Sequence, residues 1–267
     1  MSKIIIKSAE QLDIIRKNGQ ILANTHALIA SLIKAGETGL RLDKLAEEFI
    51  KDHGAVPSFK GYNRYPASLC ISINEVVVHG IPHAISFKDG DLISIDAGVY
   101  KNGFHADSAY SYAIIGAKEE VVELMKVTKQ SLFLGMQEAK TGNKTGDIGA
   151  AIQDFCERKH NYRCVRELVG HGVGANLHEA PQVPNYGKRG KGDTLPANAV
   201  IAIEPMINLG KRDVYTLKDN WTIATQDSKP SAHFEHTIVV TANGGEALTT
   251  FEPIENAVKK NKNLVFV

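Results

Sequence analysis

This sequence has little cysteine, no long apolar run and almost no net charge. Three cysteines occur in 267 residues (Cys70, Cys156 and Cys164), and this small odd number argues against a disulfide framework and favours a reducing compartment. The longest uninterrupted apolar clusters, such as residues 76–78, are the length of a strand, whereas a membrane span needs roughly 20 apolar residues. A net charge of +1 gives no global electrostatic reason to bind DNA or a membrane.

The remaining composition is that of an ordinary globular protein. Hydrophobic residues make up 43% and charged residues 23%, and the length suits one large domain or two joined halves. The N-terminal stretch MSKIIIKSAEQ becomes polar after three isoleucines, so we expect no signal peptide, which would need about 7–15 apolar residues. We therefore expect a cytoplasmic protein and exclude a secreted mini-scaffold, a membrane protein, a disordered chain and a fibrous repeat.

The predicted secondary structure alternates between helix pairs and strands. Ser8 and Gln11 form a capping-box pattern at the start of a helix that extends to about Ala35. Asn102-Gly103 between two apolar-rich runs is a strong hairpin signal, because a type I′ turn needs positive φ at both central residues. The other predicted segments are helices at 42–52, 118–139 and 148–160, an aromatic loop at 56–74, and strands at 71–73, 76–78, 91–100 and 104–115.

The order of these elements indicates an internal repeat. A shift of 106 residues superposes AGETGLRLDKLAEEFI (35–50) on TGNKTGDIGAAIQDFC (141–156). Looser matches set residues 93–96 on 201–204 and His79 on His171. Three matches in the same order predict two related α+β halves, about 1–117 and 118–252, followed by a short C-terminal tail with a mobile, lysine-rich end. The alternative is that both halves merely share common helix–loop–helix patterns.

The predicted hairpin brings two carboxylates together. With Asn102 and Gly103 in the turn, Asp96 faces Ala109, and Asp107 lies on the same face two residues away. In apolar surroundings such a pair needs a proton or a cation between its members. For an isolated hairpin, two solvated aspartates on an open sheet face are the alternative.

Three further polar residues in the second half favour a metal site. Glu204 and Glu235 lie in or beside strand patterns, and His171 lies in a glycine-rich loop. Five such residues are hard to explain without metal, and one histidine with four carboxylates is unlike a structural zinc site. Four negative charges suggest two ions that share bridging carboxylates, and Mn²⁺, Fe²⁺ and Co²⁺ all suit this set better than Zn²⁺.

Five ordered motifs carry a family resemblance over nearly the whole chain: ISINEVVVHGIP, DAGVYKNGFHADSA, GHGVGANLHEAPQVPNY, IAIEPM and FEHTIVVT. The sequence resembles the type I methionine aminopeptidases, which are metallopeptidases of the M24 type. The resemblance implies one catalytic domain over 1–267 with the duplicated α+β pita-bread fold, in which two pseudo-twofold-related halves surround a central antiparallel sheet. It also implies removal of the initiator methionine from nascent chains when the second residue is small, by attack of a metal-activated water on the first peptide bond.

The resemblance further implies roles for the polar residues. The ligands of the two divalent ions would be Asp96, Asp107, His171, Glu204 and Glu235. Asp107 and Glu235 would bridge the ions, and Glu204 would also accept the proton of the attacking water. His79 and His178 would contact the scissile amide. For His79, a hydrogen-bonded structural histidine is the alternative.

A methionine side chain calls for an apolar pocket. The family's pocket positions hold Phe59, Tyr62, Tyr65, Cys70, Leu177 and Trp221 here, with His79 at the wall. Leu177 replaces a common aromatic residue and Phe59 a common smaller one, so the sequence leaves the pocket width open. The tyrosines and the tryptophan could equally be plain core. The resemblance also implies a Na⁺ or K⁺ site at Asn74, Val76 and Ser231.

Two basic clusters, at 188–191 and 211–218, suit either docking near ribosomal RNA, which the family implies, or ordinary solvated loops. We expect a monomer.

One competing hypothesis is a proline-directed relative, a prolidase or aminopeptidase P, which would share the five ligands but usually carries an extra N-terminal domain. The other is a binding module that has lost its metals, but none of the five ligands is missing.

Overall fold

Five α-helices occur in residues 3–267, the part of the chain described by this computed structural model. They are α1 (Ala9–Leu32), α2 (Gly39–Asp52), α3 (Glu119–Glu138), α4 (Thr145–Gln153) and α5 (Glu252–Lys260). Helix α1 begins with the predicted capping box, in which the Gln11 amide donates to Ser8 Oγ and the Ser8 amide donates to Gln11 Oε1. Its end at Leu32 is three residues before the predicted one. None of the described helices is both long and apolar enough to cross a membrane.

The strands form two main antiparallel sheets. Their bounds are β1 (Val56–Pro57), β2 (Leu69–Ile73), β3 (Val76–Val78), β4 (Leu92–Lys101), β5 (Phe104–Ile114), β6 (Arg163–Cys164), β7 (Gly170–Gly172), β8 (Glu179–Val183), β9 (Val200–Ile203), β10 (Met206–Asn208), β11 (Val214–Thr216), β12 (Ile223–Thr225), β13 (Ser231–His233), β14 (His236–Val240), β15 (Gly245–Ala247) and β16 (Leu264–Val265). The first sheet has the order β1-β4-β5-β16 with β2 also paired to β4, and the second has the order β15-β14-β9-β7-β8.

The two sheets meet at β5 and β14. The Glu235 amide donates to the Ala109 carbonyl at 2.9 Å. The Thr237 hydroxyl accepts from the Asp107 amide at 3.0 Å and donates to the Asp107 carbonyl at 2.7 Å. Because these bonds join β5, which carries Asp107, to Glu235 and the start of β14, the junction of the sheets also fixes the two carboxylates relative to each other.

The β4–β5 hairpin has the predicted register. Lys101 pairs with Phe104, and Asp96 pairs with Ala109. Asn102 and Gly103 have φ values of 52° and 85°, as a type I′ turn requires. Because Asp107 pairs with Gly98, two residues after Asp96, this register places Asp96 and Asp107 on the same face of the hairpin, as predicted.

The internal repeat appears in the structure at the predicted spacing. Helices α2 and α4 begin at Gly39 and Thr145, which are 106 residues apart. Gly36 and Gly142 precede them with φ values of 87° and 91°. The amide of each glycine donates at 2.9 Å to a carbonyl further along its own half, that of Phe87 or Leu195. The halves differ in that α4 changes to a π-helical turn over Asp154–Lys159.

The predicted mobile C-terminal end is wrong. Helix α5 packs against α1, and β16 pairs with Ala113 and Ile114 of β5. The Asn261 side-chain amide donates to the carbonyls of Ala30 and Ile33 at 2.8 Å each. The lysine-rich composition hid the amphipathic pattern of α5, whose apolar residues Ile254 and Val258 are buried.

Candidate metal centre and substrate pocket

The five predicted ligands lie where the two sheets join. Asp96 is on β4, Asp107 on β5 and His171 on β7, while Glu204 directly follows β9 and Glu235 directly precedes β14. All five line one cavity of about 290 Å³. The alternating side chains of neighbouring strands explain this convergence, since each of the five segments turns one polar group towards the same space.

Three of these residues form the centre of the cluster. Asp107, His171 and Glu235 each offer a ligand atom, and the three atoms lie within 4.8 Å of one another. Glu204 Oε1 lies 3.6 Å from His171 Nε2, and the carboxyl groups of Asp96 and Asp107 are within hydrogen-bonding reach. The structure therefore brings all five predicted ligands together.

The buried carboxyl groups repel one another. Burial raises the pKa of Asp96, Asp107 and Glu235 well above the ordinary values, and the neighbouring carboxylates raise them further. Burial raises the pKa of Glu204 to about 8. Asp107 is only 4% exposed, so the alternative of solvated aspartates is wrong.

This arrangement suits a divalent cation. Asp96 Oδ1 and Glu235 Oε1 are buried and have no hydrogen-bond partner among residues 3–267. A buried polar atom without a partner is costly, and a cation would satisfy both oxygens while removing the repulsion between the carboxylates. Carboxylate oxygens with one imidazole nitrogen are ligands for hard or borderline metals.

His171 has the protonation state that a ligand needs. Its Nδ1 lies 2.9 Å from the Gly172 carbonyl, which can only accept, so Nδ1 carries the proton and the Nε2 lone pair is directed towards Glu204. Burial and the nearby His178 lower its pKa to about 3. The imidazole is therefore neutral at physiological pH.

His79 and His178 border the same cavity. His79 follows β3 with a φ of 59°, and a side chain on the next residue, Gly80, would collide with the Ile71 carbonyl. Burial, together with His233 and His178, lowers the pKa of His79 to about 4. His178 Nδ1 lies 2.7 Å from the Tyr62 hydroxyl, and burial lowers its pKa also.

The predicted pocket residues form an apolar cluster outside the main core. Its members are Phe59, Tyr62, Tyr65, Cys70, Leu177 and Trp221, packed with Ala67 and Ile81. The six predicted residues line the cavity of the carboxylates, so they surround an opening rather than forming plain core. Tyr65 donates to the Leu69 or Gly80 carbonyl, each 3.0 Å away, and contacts Trp221 edge-on.

Several cavity residues were not predicted from the sequence. They are Asn63, Val78, Leu168, Val169 and Met206. Met206 follows Glu204 by two residues, and His233, whose buried Nε2 lies 3.6 Å from Glu204 Oε2, precedes Glu235 by two. The two-residue period of a strand could have identified Met206, whereas Leu168 and Val169 carry no comparable signal.

The remaining predicted positions lie away from the cavity. The Ser231 amide donates to the Asn74 carbonyl at 2.9 Å, and Val76 begins the adjacent strand β3. In the basic clusters, Arg189 pairs with Glu138 and Arg212 with Asp213, and all four residues are at least partly exposed.

Comparison with known proteins identifies the family. Residues 13–242 match the model of metallopeptidase family M24. The chain is 50% identical to methionine aminopeptidase 1 of Bacillus subtilis (strain 168) over an alignment of 246 residues. This alignment covers 92% of the chain and 99% of the Bacillus protein. The chain belongs to metallopeptidase family M24. Within M24 it belongs to the methionine aminopeptidases, as predicted, and is therefore a metallo-aminopeptidase rather than a binding module.

Solved structures of M24 enzymes confirm the fold. The crystal structure of methionine aminopeptidase from Rickettsia prowazekii aligns with a TM-score of 0.91 at 38% identity, over 93% of this chain and 100% of that one. The prolidase from Pyrococcus horikoshii OT3 aligns with a TM-score of 0.74 at 23% identity, over 93% of this chain and 64% of that one. The M24 chain described here therefore has the predicted pita-bread fold.

Proposed function

We propose that this M24 enzyme is a methionyl aminopeptidase that hydrolyses the first peptide bond of polypeptides beginning with methionine and a small second residue. The observation that carries the proposal is a single cavity in which an apolar pocket adjoins five converging metal-ligand side chains. The apolar part suits the methionine side chain, and the polar part adjoins it where the backbone of a bound residue would lie.

We propose two divalent ions in the cavity, which would be Mn²⁺, Fe²⁺ or Co²⁺. They would be held by Asp96, Asp107, His171, Glu204 and Glu235. Asp107 and Glu235 would bridge them, which agrees with the position of both residues in the central group of three. When bound, such a pair lowers the pKa of a water molecule and polarises a carbonyl group.

The proton transfer is assigned to Glu204. Its carboxyl group lies inside the cavity, 3.6 Å from His171 Nε2, and burial raises its pKa, which favours uptake of a proton. We propose that it accepts the proton of the attacking water and delivers it to the leaving amine.

His79 and His178 are assigned to the scissile amide. Both are neutral at physiological pH because their pKa values are lowered, and a neutral imidazole keeps one N–H donor. His178 Nδ1 lies 2.7 Å from the Tyr62 hydroxyl, and we propose that Nδ1 accepts from this hydroxyl, which leaves the proton on Nε2. We propose that these two donors stabilise the negative charge that develops on the peptide oxygen.

The methionine pocket is assigned to the apolar cluster. Its six residues carry no charge at neutral pH, and a cationic side chain would lose its hydration there without gaining a partner. Thioethers contact aromatic rings favourably, and Phe59, Tyr62, Tyr65 and Trp221 provide these rings. We propose that this pocket selects methionine at the first position.

We propose a single catalytic domain over 1–267, built from the halves 1–117 and 118–252. The matching starts of α2 and α4 support this division. We also propose an auxiliary Na⁺ or K⁺ site at Asn74, Val76 and Ser231, which the hydrogen bond between Asn74 and Ser231 supports.

A peptide assay tests the proposed function. Metal-stripped protein supplied with Mn²⁺ or Co²⁺ should release methionine from Met-Ala-Ser but not from Met-Lys-Ser, and the stripped protein should release none. Cleavage of Xaa-Pro dipeptides without any methionine release would instead indicate a prolidase.

A further inference from the structure

A second cavity lies beside the metal centre. It has a volume of about 620 Å³, and His171, His178 and Val169 border both this cavity and the substrate pocket. His171 belongs to the metal cluster, so the second cavity begins next to the place where the scissile bond is expected. We call this second cavity the exit groove. His171 forms a common border between the exit groove and the substrate pocket.

One wall of the exit groove is strand β8, and the opposite wall is the segment before α1. Strand β8 is the outermost strand of the second sheet, and Gln182 on it is exposed. Ile5 on the opposite wall is 50% exposed although it is apolar. Main-chain groups at the edge of a sheet and an exposed apolar side chain together suit an extended polypeptide.

The segment that forms the opposite wall is firmly attached. Ile6 forms a β-bridge with Ala199, and the Lys7 amide donates to the Asn198 carbonyl at 3.0 Å. Lys7 Nζ lies 2.6 Å from Glu179 Oε2, and both side chains are almost inaccessible to water. The buried ion pair ties the segment to the first residue of β8, so the two walls are held at a fixed distance.

The lining of the exit groove is chemically mixed. Lys3 and Asp193 contribute one charge of each sign, and Asn176 and Gln182 contribute amides. Glu179 also lines the groove, but its charge is paired with that of Lys7, so the lining presents no strong charge of one sign. Such a surface suits chains of varied sequence, as a processing enzyme requires.

We propose that the exit groove binds the fourth and following residues of the polypeptide substrate in extended form. The proposal rests on the proposed function, since it takes the methionine side chain in the apolar pocket and the first peptide bond at the metal centre. The rest of the chain then leaves past His171 and His178, between β8 and the segment before α1.

Peptides of two lengths test this proposal on the metal-loaded enzyme. The wild type should cleave Met-Ala-Ser-Gly-Ser-Gly with a kcat/KM about tenfold above that for Met-Ala-Ser, mainly through a lower KM. Gln182→Trp should lower the kcat/KM for the hexapeptide at least about fivefold and change that for the tripeptide less than about twofold. An aromatic residue is well tolerated in a strand, so the substitution narrows the groove without disturbing β8.

A second variant and a control keep the test decisive. Ile5→Trp narrows the groove from the opposite wall and should give the same selective loss. Gln137→Trp, at an exposed position of α3, should leave both peptides unaffected. The groove proposal is overturned if the wild type has equal kcat/KM for the two peptides. It is also overturned if the loss of kcat/KM in the variants does not depend on peptide length. Failure of the wild type to cleave Met-Ala-Ser contradicts the proposed function itself, and the groove proposal falls with it.

Discussion

At the scale of single residues, the site depends on carboxylates that are unfavourable to the empty protein. Asp107 is buried beside Asp96, Glu204 and Glu235, and the charges of these neighbours raise one another's pKa values. Such a cluster weakens the metal-free fold and is useful only when a cation occupies it. The cost to stability and the benefit to function therefore belong to the same side chains.

Asp107→Ala should separate these two effects. We expect metal binding to fall below two ions per chain and methionine release to fall roughly 100-fold or more, because no neighbouring group can replace a bridging oxygen. The metal-free variant should be at least as stable as the wild type, because one repelling carboxyl group is gone. Metal analysis, the peptide assay and chemical denaturation measure the three quantities. Asp89→Ala, at an exposed loop position, is the control; a variant that still binds two ions would contradict the assignment.

At the scale of elements, the loop before β8 is held in place by the segment before α1. The loop carries Leu177 and His178, and the buried pair of Lys7 and Glu179 fixes its end. The Gly174 backbone lies so close to this pair that a side chain there would collide with both partners. The first residues of the chain thus support the loop that borders the substrate pocket.

Lys7→Met should therefore lower the free energy of unfolding by about 3–5 kcal/mol, because it leaves the Glu179 charge buried without a partner. Lys17→Met removes one partner of an exposed ion pair with Asp13 and should cost about 0.5 kcal/mol or less. The double variant Lys7→Met/Glu179→Met should recover most of the loss. Urea denaturation measures all three. Equal effects of the two single substitutions would show that the buried pair has no special role.

Local signals allowed several elements to be predicted from the sequence. The Ser8–Gln11 cap and the Asn102-Gly103 turn depend on a few adjacent residues, so their geometry is encoded where it occurs. The hairpin turn then fixed the alignment of Asp96 with Ala109 without further information. Helix α5 was not predicted because its apolar stripe lies among lysines. Strand β16 was not predicted because its pairing partner β5 is distant in sequence.

At the scale of the whole molecule, the site required contacts that no local pattern contains. The junction of β5 with β14 brings Asp107 to Glu235, yet these residues are far apart in the chain. The family motifs supplied the ligand set and the pocket residues. The exit groove had no sequence signal, because the segment before α1 and strand β8 meet in the fold but are more than 170 residues apart in the chain.

The acidic cluster also makes the stability of the whole protein depend on pH. Glu204 has a folded pKa of about 8 and an unfolded value near 4.5, so between these values the folded state holds a proton that the unfolded state has released. Stability from such a group falls as pH rises through this window. The buried histidines act in the opposite direction, and their effect fades as pH rises above their unfolded pKa of about 6.5.

The metal-free protein should therefore lose thermal stability between about pH 6.5 and pH 8, where the buried carboxyl groups of the folded state hold more protons than the histidines of the unfolded chain bind. Mn²⁺ should raise the melting temperature more at pH 8 than at pH 6.5, since it binds the deprotonated carboxylates. Thermal scans with and without metal at both pH values measure this. A metal-free melting temperature that rises over the same interval would contradict the pKa of about 8 for Glu204.

The junction of the two sheets has one further consequence. Asp96 and Asp107 belong to the first sheet, whereas His171, Glu204 and Glu235 belong to segments of the second, so neither half alone holds a complete ligand set. The two sheets must therefore dock correctly before any metal ion can meet all five side chains, so metal affinity should report on complete folding.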